Sequence, residues 1–370
     1  MTLLFDNALL GIAIAGVFYL ALACARLAAF TRRPRELASE FLPSFSILKP
    51  LAGLEPQLDE NLRSCCDQEY AGTFEVIFCL HSRADPAFVV AERIAAEFPA
   101  CTRIAVGENP RIVNPKIANL AKAGAEPRNE IVVIADSDIR VTRHYLRALA
   151  SSFTSEKVGA ATCLYAGLPN ASLASRLGAL QIEDVFIPSV LVALALGPLR
   201  FCLGATMAVR RSLLPTIGGL EALGETIADD HTLGRLVADR QKIVELSRYV
   251  VRTTVPERTL RELWAHELRW ARTNFALAPA GYAFSFLMYA LPLVLIYLLV
   301  SRNLAWGLPL ALIAALMRLA LHSLARRALG VNRGVDVLLV PIRDFLSLAV
   351  WFVSLFGRRV RWRGRTYAAK

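Results

Sequence analysis

Apolar residues are concentrated towards the two ends of the chain. Residues 7–30 are almost entirely apolar, and this length is enough for a helix to cross a bilayer. Three more apolar runs follow later in the chain, at 277–300, 304–325 and 335–356. We therefore expect one transmembrane helix near the N-terminus and a group of membrane helices near the C-terminus.

A cleaved signal peptide is the alternative interpretation of the first run. A signal peptide carries positive charge before its apolar core, whereas here the basic cluster at 31–35 follows the run. Positive charge marks the cytoplasmic side of a membrane helix. We therefore expect the chain from residue 31 onward to be cytoplasmic, with the N-terminus outside.

The third C-terminal run carries Arg343 and Asp344 in its middle. Charged side chains at that depth usually pair or line a polar cavity. Three full spans after a cytoplasmic domain would also place the basic segment 357–365 outside, against the usual charge rule. We therefore expect one of the three runs to be re-entrant or interfacial, and the break at Pro341 favours the third.

Between the apolar ends, residues 35–257 have the pattern of an α/β domain. Segments with helical spacing, such as 86–97 and 115–125, separate apolar runs of strand length, which is typical of a Rossmann-like sheet with strands buried on both faces. Ligands of such sheets bind beyond the carboxyl ends of the strands. The strand-like runs are Phe45–Leu48, Phe74–Leu80 and Ile131–Ala135.

The apolar segment Phe186–Leu199 is short and has a proline near each end. A buried core helix and an interfacial helix near a lipid-facing site explain it equally well. The remaining boundaries that we predict are an N-terminal transmembrane part at 1–34, an interfacial segment at 258–276, membrane helices at 277–357 and a basic tail at 358–370.

Composition supports a membrane protein. Hydrophobic residues make up 55% of the chain and charged residues 20%, which excludes a disordered protein. The net charge is +11, and the basic clusters at 31–35, 325–327 and 357–365 flank apolar runs, so they favour lipid headgroups over nucleic acid. The seven cysteines contain no CxxC pair, which indicates reduced core residues of a cytosolic domain.

Two aspartates follow the third strand-like run directly. Asp136 and Asp138 stand two positions apart just beyond Ala135, where their carboxylates would project past the edge of the sheet. Carboxylates suit Mg²⁺ or Mn²⁺ and a nucleotide diphosphate, although aspartate is also common in turns. Asp229 and Asp230 either cap a helix or supply a general base.

Four further residues have both a structural and a chemical interpretation. Asp85 precedes Pro86, so it is a helix cap or a ligand-binding carboxylate. Lys116 is a surface lysine or a positive charge for a phosphate. Arg269 and Trp270 anchor the chain at a membrane interface, or they supply phosphate recognition and a flat stacking face.

The order of these features resembles the ceramide glucosyltransferase family, glycosyltransferase family 21. The resemblance covers about residues 44–280 and extends to the PIRD segment at 341–344, and it is closest to the bacterial branch that includes hopanoid-associated glycosyltransferases. The segments that carry it are ILKPLAG at 47–53, ADPA at 84–87, VNPKIANL at 113–120, ADSDIRV at 135–141, IADDHTLG at 227–234 and HELRWAR at 266–272.

The resemblance implies a fold and a reaction. The fold would be a GT-A-type Rossmann-like domain between the N-terminal helix and the C-terminal membrane region. The reaction would be an inverting transfer of one hexose from a UDP-sugar to a membrane lipid such as ceramide or a hopanoid, with Mg²⁺ or Mn²⁺ as cofactor. The protein would be integral to a bacterial-type inner membrane, with its catalytic domain in the cytoplasm.

The resemblance also implies roles for residues that bind the donor. Asp85 would contact the uridine, and Asp136 would contact the nucleotide. Asp138 would help to hold the metal and the diphosphate. Lys116 would belong to the same nucleotide-sugar site.

The catalytic roles fall on the later motifs. Asp230, with Asp229 beside it, would be the general base. Arg269 and Trp270 would match the RW pair of the (Q/R)xxRW pattern. His266 stands at the first position of that pattern, where processive synthases usually have glutamine.

Other functions remain open at this stage. A processive polysaccharide synthase or a dolichyl-phosphate-type transferase shares several of these motifs. A membrane transport subunit with a cytosolic regulatory domain is the alternative outside enzymes, and Arg343 and Asp344 are the residues that would support it. The sugar, the lipid acceptor and the oligomeric state are not determined by the sequence.

Overall fold

The computed structural model describes residues 2–32, 40–122, 126–331, 334–357, 359–362 and 365–368. The chain divides into two compact units. The first unit comprises Met1–Arg33, Gly167–Leu196 and Val255–Lys370, and the second comprises Pro34–Ala166 and Gly197–Thr254. The basic segments predicted at 31–35 and 357–365, and the tail at 358–370, lie partly outside the described residues.

The elements alternate between strands and helices in the middle of the chain and are mainly helical towards its ends. The strands are β1 (Phe45–Leu51), β2 (Phe74–Leu80), β3 (Thr102–Val106), β4 (Ile131–Ala135), β5 (Ile139–Arg140), β6 (Val158–Pro169), β7 (Thr206–Arg210), β8 (Ile243–Val255), β9 (Arg359–Trp362) and β10 (Arg365–Ala368). The helices are α1 (Thr2–Arg32), α2 (Leu58–Cys66), α3 (Ala87–Glu97), α4 (Pro115–Leu120), α5 (Tyr145–Ser152), α6 (Leu173–Gln181), α7 (Ile187–Leu196), α8 (Asp229–Asp239), α9 (Leu260–Leu277), α10 (Pro279–Phe284), α11 (Ala290–Ser301), α12 (Leu304–Leu329) and α13 (Val340–Ser354).

An eight-stranded mixed sheet has the strand order β3-β2-β1-β4-β7-β6-β8-β5. The three strands predicted from apolar runs are confirmed as β1, β2 and β4, which lie side by side and parallel. Strand β7 runs antiparallel to β4, and β5 runs antiparallel to β8. The antiparallel half was not predicted, because its strands do not stand out as isolated apolar runs.

Strands β1 and β4 are buried on both faces, as their composition predicts. Every residue of β1 and of β4 is buried. Leu48 of β1 lies opposite Ile77 of β2 and Ile134 of β4. The carboxyl ends of these strands therefore meet at one edge of the sheet, and the polar residues that follow the strands are brought there.

The first unit contains long apolar helices. Among the described residues, four helices are long and apolar enough to cross a membrane. Helix α1 packs against α7, α11 and α12. The helical stretches with this length and composition are Leu4–Arg32, Leu173–Leu196, Leu304–Leu329 and Asp336–Ser354.

Two segments differ from the sequence-based expectation. The run at 277–300 is not a single helix, because Pro279–Met288 and Ala290–Ser301 meet at a bend of 70°. Pro292 lacks the N–H that the carbonyl group four residues earlier would need, which favours a break there. The third run, Asp336–Ser354, is long and apolar enough to cross a membrane, and its re-entrant or interfacial placement stays a prediction.

The segment at 186–199 belongs to a longer helix than its apolar stretch indicates. The chain is helical from Leu173 to Leu196, and a π-helical turn at Ile182–Phe186 joins α6 to α7. Because this turn contains polar residues, the apolar pattern of the sequence does not reveal the full length of the helix. The complete 24-residue stretch is long enough to cross a membrane.

Candidate functional site

Four aspartates of the second unit form what we call the carboxylate cluster: Asp136, Asp138, Asp229 and Asp230. The first two follow β4 directly, and the other two are the first residues of α8. Acidic residues in the first turn of a helix interact favourably with its partial positive charge. The sheet edge and a helix N-terminus thus position the carboxylates that the sequence singled out.

Lys116 is placed at the cluster by the start of α4. The side chain of Asn114 caps this helix by accepting a hydrogen bond from the N–H of Lys116 at 3.0 Å, and Pro115 occupies the first helical position. The side-chain amide of Asn114 also donates to the carbonyl oxygen of Thr226 at 3.0 Å. The VNPK segment is therefore tied to the loop that precedes Asp229.

The ammonium group of Lys116 bridges two members of the cluster. Its Nζ lies 2.8 Å from Oδ1 of Asp136 and 2.9 Å from Oδ2 of Asp229. Burial works against the charged lysine, but the two carboxylates outweigh it and raise the pKa of Lys116 above its usual value. Lys116 is therefore a permanent positive charge within the cluster and not a solvated surface lysine.

Asp138 lies in the most acidic part of the cluster. Its Oδ2 accepts a hydrogen bond from the hydroxyl group of Thr253 at 2.8 Å. Burial and the neighbouring charges of Asp136 and Glu55 raise the pKa of Asp138 to about 7. Because the ionised form of Asp138 is unfavourable in these surroundings, a nearby cation would stabilise it.

Asp230 faces Asp136 across Gly204. A Cβ atom at Gly204 would lie 3.3 Å from Oδ2 of Asp230 and 3.9 Å from Oδ2 of Asp136. Burial and the charge of Asp229 raise the pKa of Asp230 to about 6. A carboxylate with this pKa is well suited to accept a proton near neutral pH.

Asp85 lies in the loop after β2, at the same edge of the sheet. Its Oδ1 accepts hydrogen bonds from the N–H groups of Gly53 and Ala87, both at 2.8 Å. The side chain of Asp85 therefore satisfies a backbone N–H group at the start of α3, although Pro86 and not Asp85 occupies the cap position. It also connects this loop to the end of the ILKPLAG segment.

The structure adds residues that the sequence analysis did not select. Lys49 in β1 is fully buried, and its Nζ donates to the carbonyl oxygen of Asp136. Glu55 accepts a hydrogen bond from the hydroxyl group of Ser137 at 2.5 Å. Tyr165 of β6 interacts electrostatically with three aspartates of the cluster. Of these residues, only Lys49 could have been selected from the sequence, because a lysine within a strand that is predicted to be buried needs a partner for its charge.

The predicted RW pair lies in the first unit, on α9. Thr259 and Glu262 form a capping box at the start of this helix. His266 pairs through Nδ1 with the carboxylate of Glu257, and its ring packs against Trp270 with centroids 4.4 Å apart. Burial raises the pKa of Glu257. The pairing with His266 and the positive charge of Arg269 outweigh this effect, so the pKa of Glu257 is lowered.

A buried ion pair anchors α9 to α13. Nη1 and Nη2 of Arg343 donate to the two carboxylate oxygens of Glu267 at 2.6 and 2.7 Å. Arg343 is fully buried and also donates to the hydroxyl group of Ser347 at 3.0 Å. The arginine of the PIRD segment thus has a partner inside the HELRW motif, which explains how this charge is accommodated.

Residues 8–370, nearly the whole chain, match the sequence family described as "Glycosyl transferase family 21". The chain belongs to this family. The family resemblance expected from the motifs is therefore confirmed.

Two ceramide glucosyltransferases are similar in sequence to this family 21 chain. Ceramide glucosyltransferase 1 of Caenorhabditis elegans is 26% identical over 245 residues, which are 64% of this chain and 51% of the relative. The ceramide glucosyltransferase of Komagataella phaffii is 38% identical over 101 residues, which are 26% of this chain and 20% of the relative. The chain thus spans about half or less of the length of these curated relatives.

A solved structure shares the fold of the family 21 chain. A mannosyltransferase from Pyrobaculum calidifontis, in complex with GDP-Man and Mn²⁺, has a TM-score of 0.55 and 20% sequence identity. The match covers 94% of this chain and 99% of that one. The expected α/β fold of a nucleotide-sugar transferase is therefore confirmed.

The donor groups of the carboxylate cluster fit a divalent metal. Among the described residues, no group of three or more His, Cys, Asp or Glu side chains is arranged as a complete metal site. Mg²⁺ is commonly held by one or two carboxylates together with substrate phosphates. Asp138, with Asp136 two residues before it, supplies oxygen ligands of this kind, and the raised pKa of Asp138 indicates a place where positive charge is favourable.

Proposed function

We propose that this protein transfers one hexose from a UDP-sugar to a hydroxyl group of a membrane lipid, with inversion at the anomeric carbon. The observation that carries the proposal is the carboxylate cluster around Lys116 at the carboxyl ends of the parallel strands, in a chain of family 21. The apolar helices of the first unit and the names of the curated relatives support a lipid acceptor.

The donor would be held by the residues that follow the parallel strands. In this assignment Asp85 contacts the uridine and Asp136 contacts the nucleotide. Lys116 orients Asp136, and Asp138 holds the metal next to the diphosphate. A divalent metal held there would supply positive charge that stabilises the departing diphosphate.

Asp230 is the base of the proposed reaction. As the acceptor oxygen forms its bond to the anomeric carbon, the acceptor O–H bond breaks and its proton passes to the carboxylate of Asp230. The bond from the anomeric carbon to the diphosphate oxygen breaks at the same time, and UDP leaves with that electron pair. Attack from the face opposite to the leaving group gives a β-linkage from an α-linked donor.

Arg269 and Trp270 complete the proposed assignment. Arg269 assists the departing diphosphate, because a guanidinium group recognises phosphate at two points. Trp270 shapes the acceptor entrance with its flat ring. We further propose that the catalytic part faces the cytoplasm of a bacterial-type inner membrane, since the basic clusters follow the apolar runs.

A transfer assay with the full-length protein in lipid nanodiscs tests this function. Radiolabelled UDP-glucose, UDP-galactose and UDP-N-acetylglucosamine are each offered with ceramide, a hopanoid polyol or diacylglycerol, and the labelled lipids are separated by thin-layer chromatography. We expect one sugar per lipid and loss of the product after chelation of divalent metals. A ladder of longer products would favour a processive synthase, and no transfer with any pair would overturn the proposal.

Two variants separate the base from the fold. Asp230→Asn should abolish transfer while UDP binding stays close to that of the unchanged protein. Asp239→Asn, at the far end of α8, is the matched control, because within the described part of the chain Asp239 forms ion pairs only with Arg200 and Arg235 at the surface. Turnover by Asp230→Asn at the rate of this control would refute the base assignment.

A further inference from the structure

A second group of ionisable side chains lies among the apolar helices of the first unit, and the proposed transfer chemistry does not use it. We call it the helix polar cluster. All four members are almost completely buried, with at most 4% of each residue exposed. The members are Asp184, Arg318, His322 and Asp344.

The contacts within the helix polar cluster use only part of its hydrogen-bonding capacity. Arg318 donates to both carboxylate oxygens of Asp344, at 2.8 to 3.0 Å. Oδ2 of Asp184 lies 3.4 Å from Nη1 of Arg318 and 2.7 Å from Nδ1 of His322. Every contact of the Asp184 carboxylate in the cluster therefore falls on the same oxygen.

The other oxygen of Asp184 is left without a partner. Oδ1 of Asp184 and the hydroxyl oxygen of Tyr19 are both buried, and neither has a hydrogen-bond partner among the described residues. An unpaired polar atom in such surroundings is unfavourable, because it has lost its hydrogen bonds to water without a replacement. The two residues line the same pocket, so a polar group from outside the chain that bound there would have two unpaired partners within its surroundings.

Tyr19 and Asp184 both line a narrow pocket. Tyr19, Asp184, Arg318 and Asp344 supply its polar lining, and leucine, valine, proline and methionine side chains supply the rest. Polar groups converge here beside apolar side chains, and convergent polar groups fix the orientation of the ligand in a small-ligand site. The space suits one polar group the size of a hydroxyl and is too small for a sugar ring.

The local backbone exposes Asp184 to this pocket. Asp184 lies in the π-helical turn Ile182–Phe186, and such turns occur frequently at functional sites. Pro188, four residues after Asp184, has no N–H to donate to the Asp184 carbonyl group, so the regular α-helical pattern cannot pass through this point.

We propose that this pocket binds a hydroxyl group of a neutral membrane lipid. The lipid O–H donates to Oδ1 of Asp184, and the lipid oxygen accepts a hydrogen bond from the hydroxyl group of Tyr19. An anionic headgroup is disfavoured, because two carboxylates lie at the pocket and Arg318 is already committed to both of them. The inference rests on the proposed function in one respect, which is that the bound lipid is taken to be the sugar acceptor.

Binding of two lipid probes to the full-length protein in phosphatidylcholine nanodiscs tests the pocket. One probe is a tritiated short-chain N-acyl amino diol, and the other is the same lipid with its hydroxyl groups methylated. We expect the unchanged protein to bind the free diol about tenfold more tightly, as the loss of one or two hydrogen bonds predicts. Equal affinity for the two probes would show that the pocket holds only water and would overturn the proposal.

Two conservative variants assign the preference to the pocket. Tyr19→Phe and Asp184→Asn should each reduce the preference for the free diol to about threefold or less. Tyr297→Phe is the matched control, since Tyr297 is a buried tyrosine of the same unit that does not line the pocket. A full preference in both pocket variants would refute the assignment.

Sugar transfer measured on the same samples distinguishes this inference from the proposed function. A protein that transfers no sugar but keeps a Tyr19-dependent preference for the diol would refute the proposed function and support the lipid pocket. Normal transfer by Asp184→Asn with an unchanged KM for the lipid would support the proposed function and refute the pocket as the acceptor site.

Discussion

The ammonium group of Lys116 lies 2.8 Å from the carboxylate of Asp136. This contact joins the first turn of α4 to the first residue after β4. Neither residue is distinctive by itself, since lysine and aspartate are common at protein surfaces. Their pairing at the edge of the sheet makes them parts of one site.

Removal of the Lys116 charge should destabilise the second unit. Lys116→Met leaves Asp136 and Asp229 facing each other without the cation between them, and breaking such a pair is unfavourable by about 3 kcal/mol. Thermal unfolding in detergent should show a clearly lower Tm and weaker UDP binding. Lys157→Met, at an exposed lysine of the same unit, should leave both unchanged, and equal stability of the two variants would contradict the buried role.

The rate of sugar transfer should depend on the ionisation of Asp230. A general base accepts a proton only in its ionised form, and burial with the charge of Asp229 raises the pKa of Asp230 to about 6. The value of kcat/KM should therefore fall about tenfold per pH unit below pH 6 and level off above about pH 7. Initial rates measured between about pH 5 and pH 8 check this, and a flat profile would contradict it.

Gly234 should tolerate no side chain. A Cβ atom at this position of α8 would lie 2.2 Å from Cα of Phe201, which is too close for any packing to accommodate. Gly234→Ala should push α8 away and displace Asp230 at its start, with loss of transfer and a lower Tm. Gly197→Ala, where nothing lies within 4 Å, is the control, and normal turnover by Gly234→Ala would refute the packing argument.

The buried pair between Glu267 and Arg343 should show strong coupling. Arg343→Met leaves the Glu267 carboxylate buried and uncompensated, which is unfavourable by about 3 to 5 kcal/mol. The double variant Arg343→Met with Glu267→Gln should recover part of the lost stability, as unfolding in a detergent titration would measure. Additive losses from the two changes would show that the pair does not act as a unit.

Much of the fold was predictable because short-range patterns in the sequence indicate its elements. Continuous apolar runs identified β1, β2 and β4, and the spacing after them located helices α3 and α4. The motif series also identified the family. The bend of 70° before α11 and the length of the helix ending at Leu196 were not predicted, since both depend on how polar residues and prolines are accommodated by neighbouring helices.

The sequence alone singled out the residues that we propose carry the chemistry: the aspartates at the strand ends, Lys116 and the HELRW motif. Only the tertiary structure decided their partners. It placed Lys116 between two carboxylates, paired Arg343 with a glutamate 76 positions away, and left one oxygen of Asp184, a residue that lines a pocket, without a hydrogen-bond partner among the described residues. Such relationships depend on distances across the fold, because the charge of a side chain is written in the sequence whereas its electrostatic surroundings arise only when distant segments pack together.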